Sequence, residues 1–108
     1  MTLNPIFGKL FSELISNGYI CNEPIFSTVH ENDKSLYYRT KRKNVIEFRE
    51  YSDGSCCVCF YFGVGSSDVN ELSLACTPCV ATFLKTDDYY LDVTSCKVYV
   101  DGVSVWFL

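Results

Sequence analysis

The hydrophobic period of the sequence changes at Gly18, and this change constrains the fold more than any other feature. Before Gly18, apolar residues recur every three or four positions, as on one face of a helix: Ile6, Phe7, Leu10, Phe11, Leu14 and Ile15. Asn4 followed by Pro5 is typical of a helix start, and Asn17 followed by Gly18 is typical of a helix end. The pattern predicts one amphipathic helix at about residues 4–17, packed on the protein's own sheet.

After Gly18 the period is two, in short runs separated by polar turns, which predicts about six to seven short strands from about residue 19 to residue 108. Tight turns imply antiparallel neighbours. The run Cys56 to Val64 is apolar on both faces and predicts a central strand, and Asp101-Gly102 predicts a two-residue hairpin turn. Residues 68–79 fit a short helix and a strand equally well. We predict an α+β fold, with the helix packed on a curved, mostly antiparallel sheet.

Length and composition predict a single compact domain spanning residues 1–108. A chain of 108 residues with 48% apolar side chains can bury a core without disulfides or metal. No apolar run approaches the roughly 18 residues that a membrane span needs, and the N-terminus lacks the pattern of a secretory signal. We therefore expect a soluble protein of the reducing cytoplasm that does not contact a membrane.

The seven cysteines are an odd number, so disulfides within one chain cannot pair them all. Cys56, Cys59, Cys76 and Cys79 have a spacing associated with four-thiolate zinc. Residues three apart on a strand point to opposite faces, however, so Cys56 and Cys59 would need a bulge to bind one ion. We favour free buried thiols, with no metal or other cofactor. A structural zinc module is the alternative, and a thiol redox protein using Cys76 and Cys79 is the second alternative.

The sequence offers few candidate catalytic residues. His30 is the only histidine, and it falls at the end of a predicted strand, beside Glu31 of an exposed turn. A nucleophile needs a base within hydrogen-bond reach, and the sequence offers no grouping of nucleophile, base and oxyanion donors. The sequence therefore predicts a protein that is not an enzyme and has no catalytic residues.

Two polar and aromatic clusters are the candidate partner-binding residues. The first is an acidic and tyrosine-rich group: Asp87, Asp88, Tyr89, Tyr90, Asp92, Tyr99 and Asp101. The second is a basic strip with adjacent tyrosines: Tyr37, Tyr38, Arg39, Lys41, Arg42 and Lys43. Tyrosine and opposite charge are favoured at protein interfaces. The competing interpretation is two solvated turns with half-buried strand tyrosines.

The C-terminal strand is apolar and has no polar tail. Such a strand is either central in its own sheet or paired with another chain. Burial within the monomer is one prediction, and a homodimer or edge contact through Trp106 and Leu108 is the other.

These features together predict a small non-enzymatic protein-binding module that acts by surface occlusion. The form we expect is an inhibitor or immunity-type protein, for example a phage-encoded inhibitor of a bacterial defence nuclease complex. Its partner would be another protein, such as the nucleic-acid-binding surface of a host complex. Direct binding of nucleic acid is not expected, because the net charge is −4.

Overall fold

The predicted N-terminal helix is confirmed. The computed structural model describes residues 4–30, 32–62, 79–84, 89–100 and 102–108. A 3-10 turn at Pro5–Phe7 leads directly into helix α1 at Gly8–Ser16. The side chain of Asn4 accepts a hydrogen bond from the backbone N–H of Ile6 at 3.0 Å and caps the start. Gly18 has a φ of 72°, which lets the chain turn away after the helix.

The described strands form two antiparallel sheets. The larger has five strands in sequence order: β1 Phe26–His30, β2 Asp33–Arg39, β3 Val45–Glu50, β4 Cys56–Tyr61 and β5 Cys79–Leu84. The smaller has three: β6 Tyr89–Asp92, β7 Lys97–Val100 and β8 Val103–Phe107. The α+β class is confirmed. The expected single curved sheet is instead split in two, because alternation along a strand specifies its faces and not its neighbours.

One hydrophobic cluster joins the helix to both sheets. The helix contributes Leu10 and Leu14, the larger sheet Phe48 and Phe60, and the smaller sheet Val98, among other residues. The ring of Phe48 makes edge-to-face contacts at centroid distances of 5.1 Å to Phe7, 5.9 Å to Phe11 and 5.7 Å to Tyr38. Aromatic side chains therefore fix the helix against the larger sheet.

Strand β4 is buried on both faces, as its sequence predicts. Cys56, Val58 and Phe60 belong to the cluster under the helix. Cys57, Cys59 and Tyr61 belong to a second cluster on the opposite face, together with Tyr37 and Val45. Ser35, Glu47 and Arg49 lie on this same face of the sheet.

The predicted hairpin between the last two strands is also present. Val100 and Val103 are the last paired residues of β7 and β8, and Gly102 lies between them with a φ of 79°. The prediction for residues 68–79 lies outside the described residues, except that Cys79 begins β5.

Alanine substitutions at Gly102 and Gly8 are expected to change stability in opposite directions. A side chain at the φ of 79° found at Gly102 is disfavoured, so G102A should lower the free energy of unfolding by about 1–2 kcal/mol. Gly8 is helical, and a Cβ added there meets nothing within 4 Å. G8A should therefore raise the free energy of unfolding by about 0.5–1 kcal/mol. Urea denaturation of the three proteins measures both shifts, and shifts of equal sign would contradict this geometry.

Candidate functional site

The outer face of the smaller sheet carries an aromatic surface, which we call the tyrosine face. It comprises Tyr90, Asp92, Lys97, Tyr99 and Ser104, which alternate with the inward-facing residues of the sheet. Tyr90 and Tyr99 are directly opposite in the β6–β7 ladder. Their rings are stacked, with centroids 4.7 Å apart and planes 3° apart, and Tyr90 is 47% exposed. The sheet therefore presents two rigidly held rings.

Tyr89 points the other way and is a core residue, which corrects its predicted place among the partner contacts. It is 1% exposed, and its hydroxyl donates to the backbone oxygen of Ile6. The physical reason is the strand itself, since neighbouring residues face opposite sides of a sheet. Of two adjacent tyrosines, only Tyr90 is available to a partner.

Asp92 organises the turn between β6 and β7. Its carboxylate accepts hydrogen bonds from the hydroxyl of Ser95 at 2.6 Å and from the backbone N–H of Thr94 at 3.0 Å. These bonds, the serine hydroxyl first, lower the pKa of Asp92. Asp92 is therefore a charged group at the end of the tyrosine face. Asp87, Asp88 and Asp101 lie outside the described residues.

Tyr37 and Tyr38 are also core residues, contrary to their predicted place in an exposed basic strip. They are buried because β2 is an inner strand, with the helix over one face and the second cluster on the other. Tyr38 packs edge-to-face on Phe11 at 5.3 Å. Tyr37 lies near Tyr61, and burial raises the pKa of Tyr37 to about 12. Neither ring is available to stack on a partner.

The basic residues of the strip, by contrast, are at the surface. Lys41, Arg42 and Lys43 are exposed in the turn between β2 and β3, and Arg39 is half-buried at the end of β2. Arg39, Lys41 and Lys43 line a cleft of about 210 Å³, which we call the basic cleft. Its full lining is Gly18, Tyr19, Ile20, Cys21, Arg39, Thr40, Lys41 and Lys43. The sequence did not indicate that residues 18–21 would form the other wall.

A buried polar network surrounds Glu47, and sequence reasoning did not anticipate it. The Glu47 side chain is fully buried and lies opposite Tyr37 and Cys59, two residues of the second cluster. Its Oε1 accepts hydrogen bonds from Tyr61 at 2.5 Å and from Arg49 Nη2 at 2.9 Å. Its Oε2 accepts hydrogen bonds from Ser35 at 2.6 Å and from Arg49 Nε at 2.7 Å. The sequence signal that could have indicated this network was the pair of opposite charges at Glu47 and Arg49, which are two residues apart and so share a strand face.

This network is structural in character. Burial works against the charged form of Glu47, but the hydrogen bonds from Arg49 and Ser35 and that from the tyrosine outweigh it. The pKa of Glu47 is therefore held below its ordinary value of 4.5. A carboxylate that is charged and already accepts four hydrogen bonds is not poised to exchange a proton with a substrate.

Two thiols lie beside this network. Cys57 and Cys59 share a strand face, and their sulfur atoms are 3.6 Å apart. The hydrogen bond from Cys59, helped by the charge of Arg49, lowers the pKa of Cys57 to about 7 despite its burial. The pKa of Cys59 is raised by the same contact and by burial. Both sulfur atoms are enclosed, which favours packing over reactivity.

Two of the four cysteines of the zinc alternative, Cys56 and Cys59, do not face one site. Cys56 and Cys59 belong to different clusters on opposite faces of β4. Cys79 begins a strand, whereas the redox alternative would place it in the first turn of a helix. Cys76 lies outside the described residues. Within the described ranges, no three potential ligands among His, Cys, Asp and Glu come together.

The C-terminal strand β8 pairs only with β7 among the described strands. Leu108 is fully buried, and its N–H donates to the backbone oxygen of Cys96 at 2.6 Å. This burial corrects the prediction that Leu108 contacts a second chain, because the last residue folds back into the core. Trp106 lies in β8 opposite Val98, and its contact with another chain stays a prediction.

The chain matches no protein-family model, no curated protein and no solved structure. In the part of the chain that the structure describes, no helix has the length and apolar character needed to cross a membrane.

Proposed function

We propose that this is a non-enzymatic protein that binds another protein through its tyrosine face. The observation that supports this most is the stacked pair of Tyr90 and Tyr99 on the outside of a sheet. Tyrosine offers apolar area and a hydroxyl while freezing few torsions. Each ring already holds the other, so little conformational entropy remains to be lost on binding.

The charge of the C-terminal half of the chain, rather than that of Asp92 and Lys97 on the tyrosine face itself, favours a basic partner surface. Residues 53–108, which include the tyrosine face, carry seven acidic and two basic side chains, and the whole chain has a net charge of −4. Complementary charge speeds encounter and selects among partners. A channel that normally holds nucleic acid is such a surface. In this proposal the protein is an inhibitor or immunity-type protein that occupies the nucleic-acid channel of a host defence nuclease complex.

Removal of the two stacked rings is expected to weaken binding strongly and leave the fold intact. A photo-reactive residue at Ser104, which pairs with Tyr99, should crosslink the partner in host-cell lysate for identification by mass spectrometry. Calorimetry with that purified partner should then show Y90S/Y99S binding at least about thirtyfold more weakly, as at interface hot spots. The partner's nucleic acid should compete with the wild-type protein.

The matched control is another stacked aromatic pair, Tyr51 and Phe83, which lies against the larger sheet. Their ring centroids are 6.2 Å apart, and Phe83 is 58% exposed. The variant Y51S/F83S should bind the partner with unchanged affinity. Equal binding by Y90S/Y99S and the wild-type protein, or a larger loss in the control, would refute the role of the tyrosine face. A partner whose channel still takes up nucleic acid in the complex would refute inhibition by occlusion.

A further inference from the structure

The basic cleft is formed where the chain that follows α1 crosses the turn between β2 and β3. Ile20 forms an isolated antiparallel bridge with Thr40, and the N–H of Lys41 donates to the backbone oxygen of Tyr19 at 3.0 Å. These contacts bring two distant segments, residues 18–21 and 39–43, to one place. Three cationic side chains line the cleft, and none of the described residues lining it is acidic.

Two of the three cations of the cleft, Lys41 and Arg39, are held in position by contacts within the fold. The Lys41 ammonium lies 4.3 Å from the centroid of the Tyr19 ring. The guanidinium of Arg39 donates to the backbone oxygen of Lys43 at 3.3 Å across the turn. Groups that are already placed lose less entropy when they bind a ligand than mobile surface side chains do.

The turn that carries these residues is itself tightly bonded. The N–H of Lys43 donates to the backbone oxygen of Thr40 at 3.0 Å, and the N–H of Asn44 donates to the hydroxyl of Thr40 at 3.2 Å. Lys43 has a φ of 64°, a left-handed conformation that ordinary residues adopt only where the surroundings impose it. The backbone of the turn therefore fixes the positions of the Cα atoms from which the Lys41 and Lys43 side chains extend.

We propose that the basic cleft binds the phosphate group of a phosphate ester. Arg39 supplies a planar fork of donors that matches phosphate oxygens, and Lys41 and Lys43 supply point charges. A volume of about 210 Å³ accommodates a phosphate and only a small part of the molecule attached to it. The Tyr19 ring is 4% exposed and is covered by Lys41, so it offers no surface on which a base could stack. The phosphate, not the base, is what the cleft recognises.

This site is independent of the proposed protein-binding function, because it uses other residues and another class of ligand. The same phosphate chemistry can come from a free nucleotide or from the terminal phosphate of a nucleic-acid strand. Binding to the internal phosphates of a strand is a different case. The affinity would then depend on the length of the strand and not on a terminal phosphate.

Titration of the ¹⁵N-labelled protein with inorganic phosphate and with adenosine monophosphate tests the site, at an ionic strength held constant with sodium chloride. We expect saturable amide shifts at residues 18–21 and 39–43 with both ligands and none with adenosine. The variant K41Q/K43Q should bind both at least about tenfold more weakly, since each lost contact is a charge-assisted hydrogen bond. The control K9Q/K34Q removes the same charge from exposed lysines elsewhere and should bind as the wild-type protein does.

Two oligonucleotides that differ only in a 5′-phosphate identify the source of the ligand. Tighter binding of the phosphorylated strand than of adenosine monophosphate assigns the site to strand ends, and the reverse assigns it to free nucleotides. Three results would overturn the proposal. They are shifts that do not saturate, equal weakening in the two double-lysine variants, and an unphosphorylated oligonucleotide that binds as tightly as the phosphorylated one and more tightly than adenosine monophosphate. Because the tyrosine face is unchanged in K41Q/K43Q, failure here leaves the protein-binding proposal standing.

Discussion

Replacement of Glu47 by leucine should lower the free energy of unfolding by about 3–5 kcal/mol, as measured by urea denaturation followed by circular dichroism. The carboxylate is fully buried and is the shared acceptor for Arg49, Ser35 and a tyrosine. Its removal leaves several donors without their acceptor, and one of them carries a full charge. Unpaired buried donors cost more than the lost bonds themselves.

The double variant E47L/R49M separates the network from simple overpacking. It removes the charge together with the carboxylate, so it should be more stable than E47L alone, because apolar replacement of a whole buried pair is often nearly neutral. E50L changes a half-buried glutamate on the same strand and should cost less than about 1 kcal/mol. Equal destabilisation by E47L and E50L would contradict the network.

The wild-type protein and E47L/R49M should also differ in how their stability responds to acid. The pKa of Glu47 is below its ordinary value of 4.5 in the folded state, so the network stabilises the fold fully above that pH. That stabilisation is lost as the pH falls through the lower, folded-state pKa. Below pH 4.5 the wild-type protein should therefore lose stability more steeply than E47L/R49M. The exposed carboxylates of Asp53 and Asp92 are common to both proteins and cancel in the comparison.

Truncation of Phe48 to alanine is the second large effect that we expect, about 3–5 kcal/mol in the free energy of unfolding. Phe48 is buried and contacts Phe7 and Phe11 from the N-terminal segment as well as Tyr38 from β2. The cavity left behind would lie between the helix and the larger sheet, where both sides lose contacts. The helix should therefore become more open to amide hydrogen exchange.

Phe83 provides the control for Phe48, because it is the same residue type in the same sheet but is largely exposed. F83A should cost less than about 1 kcal/mol. A domain of this size has a total stability of about 5–15 kcal/mol, so F48A is at risk of unfolding. F48L keeps much of the volume and should show a smaller loss in the same direction. A loss from F83A as large as that from F48A would contradict the location of the core.

The sequence anticipated features that depend on local period, and the outcome at β4 shows why. Cys56 and Cys57 are adjacent, and alternation alone assigns them to opposite faces, as the structure confirms. What alternation did not reveal is whether an outward face is covered. Tyr37 was interpreted as a partner-facing residue of the basic strip, yet it is buried in the second cluster. Glu47, on the same face of the sheet, is buried as well.

In the candidate sites too, local sequence patterns predicted some features, and others depended on the pairing of distant segments. Tyr90 and Tyr99 were predicted as contact residues from composition, and their stacking follows from the pairing of β6 with β7. The basic cleft needed both the hairpin and the bridge between Ile20 and Thr40, which are twenty residues apart. Only the hairpin half had a local signal.

The sequence by itself determined the helix, the alternating strands, the central strand that is buried on both faces, and the last hairpin. Each of these follows from side-chain period and turn chemistry within a few residues. Only the tertiary structure decided that the sheet divides in two, that Glu47 is buried with Arg49, and that residues 18–21 face the basic turn. These depend on which distant segments pair, and pairing is selected by the packing of the whole core rather than by any local pattern.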